Sequence, residues 1–328
     1  RERPMELQIA SDTFTFNGAA LETGAETLGQ LRRSDDAAYD YDELRRRMAA
    51  DGYLYLPSQL DRDEVITARH AVARRLADAN LLDPSRPVED CIAGEGVRVG
   101  FMAEVARDNP ELDKVLYDGP MMEFYRGFLG GEVRHFDYTW FRTKSPGDNG
   151  TQPHYDVVYM GRGTRKLFTS WTPLSDITMD MGGLIVLEGS HRQHELIDTY
   201  GQLDVDRYCE NDATTRKLIE TARTQGRDLT GAERGQAQWQ SPTFGSYSND
   251  SAATRRELGG RWLTDEYRMG DLLVFSIYTM HASPDNHTAQ IRLSSDSRYQ
   301  LASEPVDDRW IGDDPPLHDI RAHKAMIC

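Results

Sequence analysis

Residues 132–144 read EVRHFDYTWFRTK, and their alternating pattern is the first indication of the fold class. Alternate side chains of a β-strand point to the same side, so residues 136, 138, 140, 142 and 144 are expected to share one face. Downstream, segments bounded by Gly, Pro and Asp predict further strands at 166–172, 183–187, 271–280 and 291–301. Several strands joined by long loops, without regular βαβ alternation, favour a mainly β sandwich or jelly roll over a doubly wound sheet.

The sequence before residue 131 is mostly helical. Helices are predicted at 42–50, at 63–82 with Asp61 as N-cap, and at 120–129, with a strand at 53–57. No repeat and no Pro/Ser-rich linker divides the chain, so we predict one domain over residues 1–328. Its expected parts are a helical part at 1–130, a β core at 131–305 that contains an insertion at 195–267, and a C-terminal tail at 306–328.

The predicted insertion is polar and has little material for a core of its own. Long insertions of this kind often form binding loops or lids. We therefore expect part of residues 201–268 to cover the opening of a binding site, with Trp239, Phe244 or Tyr247 in contact with the ligand. The alternative is that this segment lies static on the protein surface and does not cover the site.

The overall charge excludes some classes of partner. The 328 residues include 38 Lys and Arg against 54 Asp and Glu, a net charge of −16. Such a field repels nucleic acids and anionic membrane surfaces, so a small-molecule ligand is expected. It also disfavours a bulky polyanion such as a coenzyme A thioester, unless basic residues near Lys144 or Arg98 outweigh it locally. Three cysteines without a C-x-x-C pair suit a cytoplasmic protein.

The segment QPHYD at residues 152–156 contains the clearest candidate for metal binding. In an extended segment His154 and Asp156 point to the same side, so an imidazole and a carboxylate can converge on one ion. A hydrogen-bonded surface pair would have the same spacing. His281 is the natural third ligand, because it is expected to end the strongly apolar strand DLLVFSIYTM, where a buried strand brings a polar side chain to its rim. Two histidines and one carboxylate form the facial triad of non-haem Fe(II) oxygenases, although zinc hydrolases use similar ligands.

Arg292 distinguishes an Fe(II) oxygenase from a zinc hydrolase. It lies eleven residues beyond His281 on the next predicted strand, IRLSS. A guanidinium there could bind the far carboxylate of a dicarboxylate whose 2-oxo acid end chelates the metal. A hydrolase has no evident need for such an arginine.

Four segments in the same order resemble the phytanoyl-CoA dioxygenase family of Fe(II)- and 2-oxoglutarate-dependent oxygenases. They are GYLYLPSQLDRDEV, FRTKSPGDNGTQPHYD, SWTPLSDITMDMGGLIVLEGSHR and MHASPDNHTAQIR, and the resemblance covers roughly residues 50–300. It implies a double-stranded β-helix, a jelly roll of the cupin-like type. It also implies Fe(II), 2-oxoglutarate and O2 as cofactor and cosubstrates.

The resemblance further implies individual roles. Iron would be held by His154, Asp156 and His281, and the 2-oxoglutarate carboxylate by Arg292. It suggests four more residues around the cosubstrate or substrate, namely Ser283, Trp140, Lys144 and Trp171. The presence of Asp156 favours hydroxylation, because related halogenases are thought to have Gly or Ala at this position. His191, in GSHR, is interpreted as a structural histidine.

The expected function is oxidation of an unactivated C–H bond of a small-molecule metabolite, with release of succinate and CO2. Two alternatives stay open at this point. A metal-dependent cupin-like hydrolase or isomerase would keep the triad without needing 2-oxoglutarate. If the protein were instead a non-catalytic small-molecule binding protein, the presence of the complete ligand set and of Arg292 would be coincidental. The substrate and the oligomeric state cannot be read from the sequence.

Overall fold

The computed structural model describes residues 14–209, 211–237 and 244–326. Within them the chain forms nine α-helices: α1 (Tyr41–Asp51), α2 (Arg62–Asp78), α3 (Pro110–Tyr117), α4 (Gly119–Leu129), α5 (Val157–Met160), α6 (His194–Asp198), α7 (Ala213–Thr224), α8 (Gly231–Ala237) and α9 (Ser251–Leu258). The strands of the same ranges are β1 (Thr15–Phe16), β2 (Ala19–Ala20), β3 (Leu28–Gln30), β4 (Tyr53–Leu56), β5 (Val133–His135), β6 (Trp140–Lys144), β7 (Thr151–His154), β8 (Phe168–Pro173), β9 (Ile185–Leu187), β10 (Arg207–Cys209), β11 (Trp262–Thr264), β12 (Leu272–Ser276), β13 (His281–Ser283), β14 (Arg292–Leu301) and β15 (Lys324–Met326).

Two sheets form the core. The major sheet has the strand order β4-β12-β8-β14-β5, with β6 also paired to β14, and the minor sheet has the order β3-β11-β9-β13-β7. Neighbouring strands in both sheets are antiparallel except for β3 and β11. Apolar side chains from both sheets, such as Trp171 and Val186, pack in one cluster between them. The predicted jelly-roll architecture is thereby confirmed.

Helices α1 to α4 cover the outer face of the major sheet. Their buried side chains form one cluster with Leu54, Val274 and Leu293 of the sheet. Helix α2 begins as predicted, because the Asp61 carboxylate accepts hydrogen bonds from the backbone N–H groups of residues 63 and 64. The helical part thus buries one face of the sheet and leaves the space between the sheets for the site.

Two predicted strands are each divided in the structure. Residues 132–144 form β5 and β6, which pair with different parts of β14. The predicted strand at 271–280 ends at Ser276, where a turn closed by a hydrogen bond from Thr279 N–H to Ser276 C=O follows. The chain then crosses to the minor sheet, so His281 begins β13 and does not end the apolar strand. The expected position of His281 at the end of that strand was wrong, because periodicity does not show a crossover between sheets.

The predicted insertion and tail are joined to each other and to the core. Strand β11, at the end of residues 195–267, lies inside the minor sheet between β3 and β9. Strand β15 of the tail pairs in parallel with β10 of the insertion. In the tail, Trp310 is 1% exposed and packs in the core cluster beside the site. Trp239 lies outside the described residues, and the division into one domain stays a prediction.

No helix formed by the described residues is long and apolar enough to cross a membrane.

Candidate metal and cosubstrate site

The three predicted metal ligands lie together between the sheets. His154 ends β7 and faces His281, which begins β13, in the antiparallel register of the minor sheet. The Asp156 Oδ1 atom lies 3.8 Å from the Nε2 atom of each histidine. The ligand atoms of all three buried residues lie within 4.8 Å of one another. We call these three residues the triad.

Backbone carbonyl groups orient both imidazole rings. His154 Nδ1 lies 2.7 Å from the Gln152 carbonyl oxygen, and His281 Nδ1 lies 2.9 Å from that of Thr279. A carbonyl only accepts, so each Nδ1 carries the proton and each Nε2 has a lone pair for a metal. Burial, together with His281, lowers the pKa of His154 to about 3, and burial also lowers the pKa of His281. Both rings are therefore neutral, which is the form that binds a metal.

The Asp156 carboxylate is held by two donors on its other oxygen. Asp156 Oδ2 accepts hydrogen bonds from Thr169 Oγ1 at 2.5 Å and from Arg298 Nη2 at 3.0 Å. Burial by itself would raise the pKa of Asp156, but Arg298 and the two histidines hold it well below its usual range. The Arg298 guanidinium is buried and lies 4.1 Å from the ring centroid of Trp140. Asp156 is thus fixed as a carboxylate with Oδ1 directed to the histidines.

Arg292 is a buried cation with unused hydrogen-bond donors. Its Nη1 donates to the Gly182 carbonyl at 2.7 Å and its Nη2 to Ser294 Oγ at 3.2 Å. Within the described part of the chain, Arg292 Nε and the neighbouring Trp171 Nε1 have no hydrogen-bond partner. Burial and the nearby Arg142 lower the pKa of Arg292 to about 10, so the guanidinium stays charged at neutral pH. Buried donors of this kind normally have an acceptor, and a carboxylate is the acceptor that fits a guanidinium.

A cavity of about 360 Å³ opens beside Arg292, and we call it the Arg292 cavity. Arg98, Arg142 and Lys144 also line it. Lys144 Nζ donates hydrogen bonds to Ser283 Oγ at 2.7 Å and to the Pro284 carbonyl at 2.5 Å. Burial and the charge of Arg292 lower the pKa of Lys144 well below its usual value. The cationic lining fits an anionic ligand such as 2-oxoglutarate.

A second cavity, of about 480 Å³, lies against the triad, and we call it the triad cavity. His154 and Asp156 line it together with an aromatic wall of Tyr138, Trp140 and Trp310. The two cavities share three lining residues, namely Phe101, Arg142 and Thr151. A volume of this size is within the roughly 300–1,000 Å³ of small-molecule sites. The triad therefore borders the triad cavity, and the Arg292 cavity adjoins that cavity at the three shared residues.

The other predicted site residues divide between these cavities. Lys144 lines the Arg292 cavity and contacts Ser283, while Trp140 lines the triad cavity. Trp171 lines neither of these two cavities but lies 5.9 Å from the Arg292 guanidinium and packs against Tyr267. Their roles in binding stay predictions. His191 lies apart, with Nε2 3.1 Å from the Ala49 carbonyl oxygen.

Two arginines of the site were not assigned from the sequence. Arg298, which shares strand parity with Arg292, contacts Asp156, and parity alone did not separate this contact from an ordinary ion pair across the sheet. Arg142 shares a face with Trp140 and Lys144, and its Nε donates to Asp296 Oδ2 at 2.6 Å. The strand alternation put Arg142 on one face with Trp140 and Lys144, and Arg298 on one face with Arg292, but it could not identify their partners.

Comparison with known proteins gives a family and a fold. The model of the family described as phytanoyl-CoA dioxygenase (PhyH) matches residues 48–294. The 1-deoxypentalenic acid 11-beta-hydroxylase of Streptomyces exfoliatus is 26% identical over 160 residues, which are 47% of this chain and 56% of that enzyme. The chain thus spans little more than half the length of this relative.

Solved structures with a similar fold are known at low sequence identity. The non-heme alpha ketoglutarate dependent epimerase SnoN from nogalamycin biosynthesis is 18% identical, with a TM-score of 0.52 over 84% of this chain and 92% of its own. EctD from S. alaskensis, crystallised with 2-oxoglutarate and 5-hydroxyectoine, is 17% identical, with a TM-score of 0.53 over 96% of this chain and 98% of its own. These likenesses show the fold, and the family match covers most of the chain. The chain therefore belongs to the phytanoyl-CoA dioxygenase family of Fe(II)- and 2-oxoglutarate-dependent oxygenases.

Proposed function

We propose that the protein is a dioxygenase that hydroxylates, or otherwise oxidises, an unactivated C–H bond of a small-molecule metabolite. The reaction would consume 2-oxoglutarate and O2 and release succinate and CO2. The observation that carries the proposal is the buried triad beside one cavity, together with an adjoining cavity that is lined by Arg292, whose Nε has no hydrogen-bond partner among the described residues. A hydrolase or isomerase with the same triad has no need for the Arg292 cavity.

In this proposal the two histidine Nε2 atoms and the Asp156 Oδ1 atom would hold Fe(II). Two neutral imidazoles and one carboxylate are the donor set of non-haem Fe(II) oxygenases, and three coordination positions stay open. Bound Fe(II) supplies the activation of O2 that protein side chains cannot provide. The chain keeps Oδ1 free for the metal by tying Oδ2 to Thr169 and Arg298. The Gln152 and Thr279 carbonyl groups keep the imidazole rings in the right tautomer.

Arg292 would bind the carboxylate of 2-oxoglutarate that is remote from the metal. The guanidinium is fixed by Gly182 and Ser294, so its remaining donors are oriented before the ligand arrives. Lys144, tied to Ser283, would add a second basic side chain to the same cavity. Trp171 packs beside the guanidinium and excludes water from it.

The substrate would lie in the triad cavity against Trp140 and the other aromatic residues. The relative from Streptomyces exfoliatus is by name a hydroxylase of 1-deoxypentalenic acid, which makes that acid a reasonable member of a screening panel. Asp156 occupies the ligand position, so hydroxylation or a related oxidation is favoured over halogenation. Action in the cytoplasm and the absence of a nucleic-acid or membrane partner stay predictions from the sequence.

The decisive experiment measures succinate from 2-oxoglutarate. The purified protein, loaded anaerobically with Fe(II), is exposed to O2 with and without a panel of candidate substrates. The proposal expects succinate that depends on Fe(II) and O2, with one succinate per oxidised product for a true substrate. Substrate conversion without 2-oxoglutarate would instead support a hydrolase or isomerase. Ligand binding without any turnover would support a binding protein.

A further inference from the structure

Arg142 of β6 is a basic side chain whose two outer nitrogen atoms have no partner in the described part of the chain. Its Nε donates a hydrogen bond to Asp296 Oδ2 at 2.6 Å, which fixes the guanidinium in place. The four N–H groups on Nη1 and Nη2 make no hydrogen bond to a described residue, and the side chain is 28% exposed. Arg142 lines both the Arg292 cavity and the triad cavity, so these groups are open to a ligand where the two cavities adjoin.

The pairing of β6 with β14 gives the position of Arg142 along the interior. Arg142 lies opposite Ser294, which is one step of two residues from Arg292 on the same face of β14. Such a step is about 6.6 Å long. In the other direction, the same face of β14 continues to Arg298, which donates to the metal ligand Asp156. Arg142 therefore lies between the arginine assigned to the cosubstrate and the arginine that holds a metal ligand.

The length of 2-oxoglutarate matches this spacing. Its two carboxylate carbons are separated by four C–C bonds of about 1.5 Å, so the extended molecule spans about 5 Å between them. A molecule that is held at its remote end by Arg292 and reaches the triad with its other end has to cross the boundary that Arg142 lines. The carboxylate next to the oxo group is then the anionic group that arrives beside Arg142.

We propose that Arg142 binds the carboxylate of 2-oxoglutarate that is next to the oxo group, while Arg292 binds the remote one. This inference rests on the proposed function, because it takes 2-oxoglutarate as the ligand of the Arg292 cavity. A guanidinium N–H and a carboxylate form a strong, charge-assisted hydrogen bond. Asp296 holds the guanidinium before the ligand arrives, so little ordering is needed on binding. The contact would fix the orientation in which the 2-oxo acid approaches the triad.

Two monocarboxylate analogues distinguish the two ends of the cosubstrate. Relative to 2-oxoglutarate, 2-oxopentanoate has a methyl group in place of the remote carboxylate, and 4-oxopentanoate has one in place of the carboxylate next to the oxo group. The anaerobic Fe(II) protein is titrated with 2-oxoglutarate and with 2-oxopentanoate, and binding is followed by the visible charge-transfer band. The affinity for 4-oxopentanoate is measured by competition with 2-oxoglutarate.

In Arg142→Gln the affinities for 2-oxoglutarate and 2-oxopentanoate should fall by the same factor, about tenfold or more, since one hydrogen bond between charged groups is worth about this much. The affinity for 4-oxopentanoate should stay within about threefold of the wild-type value, because that analogue lacks the carboxylate that Arg142 binds. Arg292→Ala should give the opposite pattern. Arg142→Lys should restore only part of the affinity, because it has no guanidinium fork.

Two further variants serve as controls. Arg98→Gln is the matched control, because Arg98 lines the Arg292 cavity but is exposed, and all three affinities should stay nearly unchanged. Arg142→Gln leaves the Asp296 carboxylate without its partner. The double variant Arg142→Gln/Asp296→Asn removes both charges, and it should show the same losses as Arg142→Gln. Melting temperatures show whether the variants stay folded.

The outcomes separate this inference from the proposed function. A normal affinity for 2-oxopentanoate in the double variant overturns the inference, because any loss in Arg142→Gln then comes from the unpaired Asp296 carboxylate. A loss that extends equally to 4-oxopentanoate overturns it as well. A wild-type Fe(II) protein that does not bind 2-oxoglutarate would refute the proposed function itself. The expected affinities without succinate formation would refute the oxygenase activity and leave the assignment of Arg142 intact.

Discussion

Replacing Arg292 with alanine is expected to weaken the binding of 2-oxoglutarate by about two to four orders of magnitude and to leave iron binding unchanged. The guanidinium is 1% exposed, and two of its five N–H groups are used by Gly182 and Ser294. The remaining donors can hold a carboxylate at two points. Breaking such a buried pair costs about 3–5 kcal/mol, and each 1.4 kcal/mol is about tenfold in affinity. Lysine at this position should restore only part of the affinity, because it has no guanidinium fork.

The assay is an anaerobic titration of the Fe(II) protein with 2-oxoglutarate, followed by the visible metal-to-ligand charge-transfer band. Arg98→Ala is the matched control, because Arg98 lines the same cavity but is exposed and bonded to the Pro146 carbonyl. Its loss should change the affinity by less than about threefold, as for a screened surface charge. A normal band at wild-type cosubstrate concentrations in Arg292→Ala would refute the reasoning and move the carboxylate site to another cation, Arg142 or Lys144.

Three further predictions concern the triad and the surroundings of the site. Alanine at any one triad position should abolish iron binding and turnover, whereas His191→Ala should keep its iron, and metal analysis of the purified variants decides this. Arg298→Gln should lower iron affinity by about 10–100-fold, because Asp156 loses the donor that fixes its orientation, and a competition titration with a chelator would show an unchanged affinity if this reasoning is wrong. The free energy of unfolding should fall as the pH drops below about 4, because Asp206 has a lowered pKa in the folded state and an ordinary one in the unfolded state. Denaturant titrations at several pH values should give a shallower dependence for Asp206→Asn, and an identical slope would contradict this role.

The grouping of the three candidate metal ligands was predictable, because residue type and the His-x-Asp spacing indicate metal binding. His154 and Asp156 are two residues apart, and residue type singled out His281 and Arg292 farther along the chain, so spacing and residue type were enough to group them. The crossover before His281 was not predictable. An apolar run gives the length of a strand, but the point where the chain changes sheet depends on turn hydrogen bonds such as that of Thr279 with Gly52.

The contribution of the insertion and tail to the site was only partly predictable. The polar composition of residues 201–268 suggested a segment over the opening, and Arg234 does line the triad cavity. The sequence of the tail gave no indication of its role. Trp310 and His318 line the cavity, and this part of the tail is held by the contacts of Arg309 and His318 with Asp206, which lies about a hundred positions away in the chain. Such long-range pairings leave no periodic pattern in the sequence.

The difference between the net charge of the chain and the charge of its site follows from screening. The surface carries the excess of acidic residues, and at physiological ionic strength its field decays within about 8 Å. The buried groups are screened much less, and three basic side chains, Arg142, Lys144 and Arg292, line the Arg292 cavity. Their mutual repulsion contributes to lowering the pKa of Lys144 and of Arg292, a cost that an anionic ligand would relieve. A net charge of −16 therefore argues against an extended polyanion on the surface, but it says nothing against a small dicarboxylate inside the Arg292 cavity.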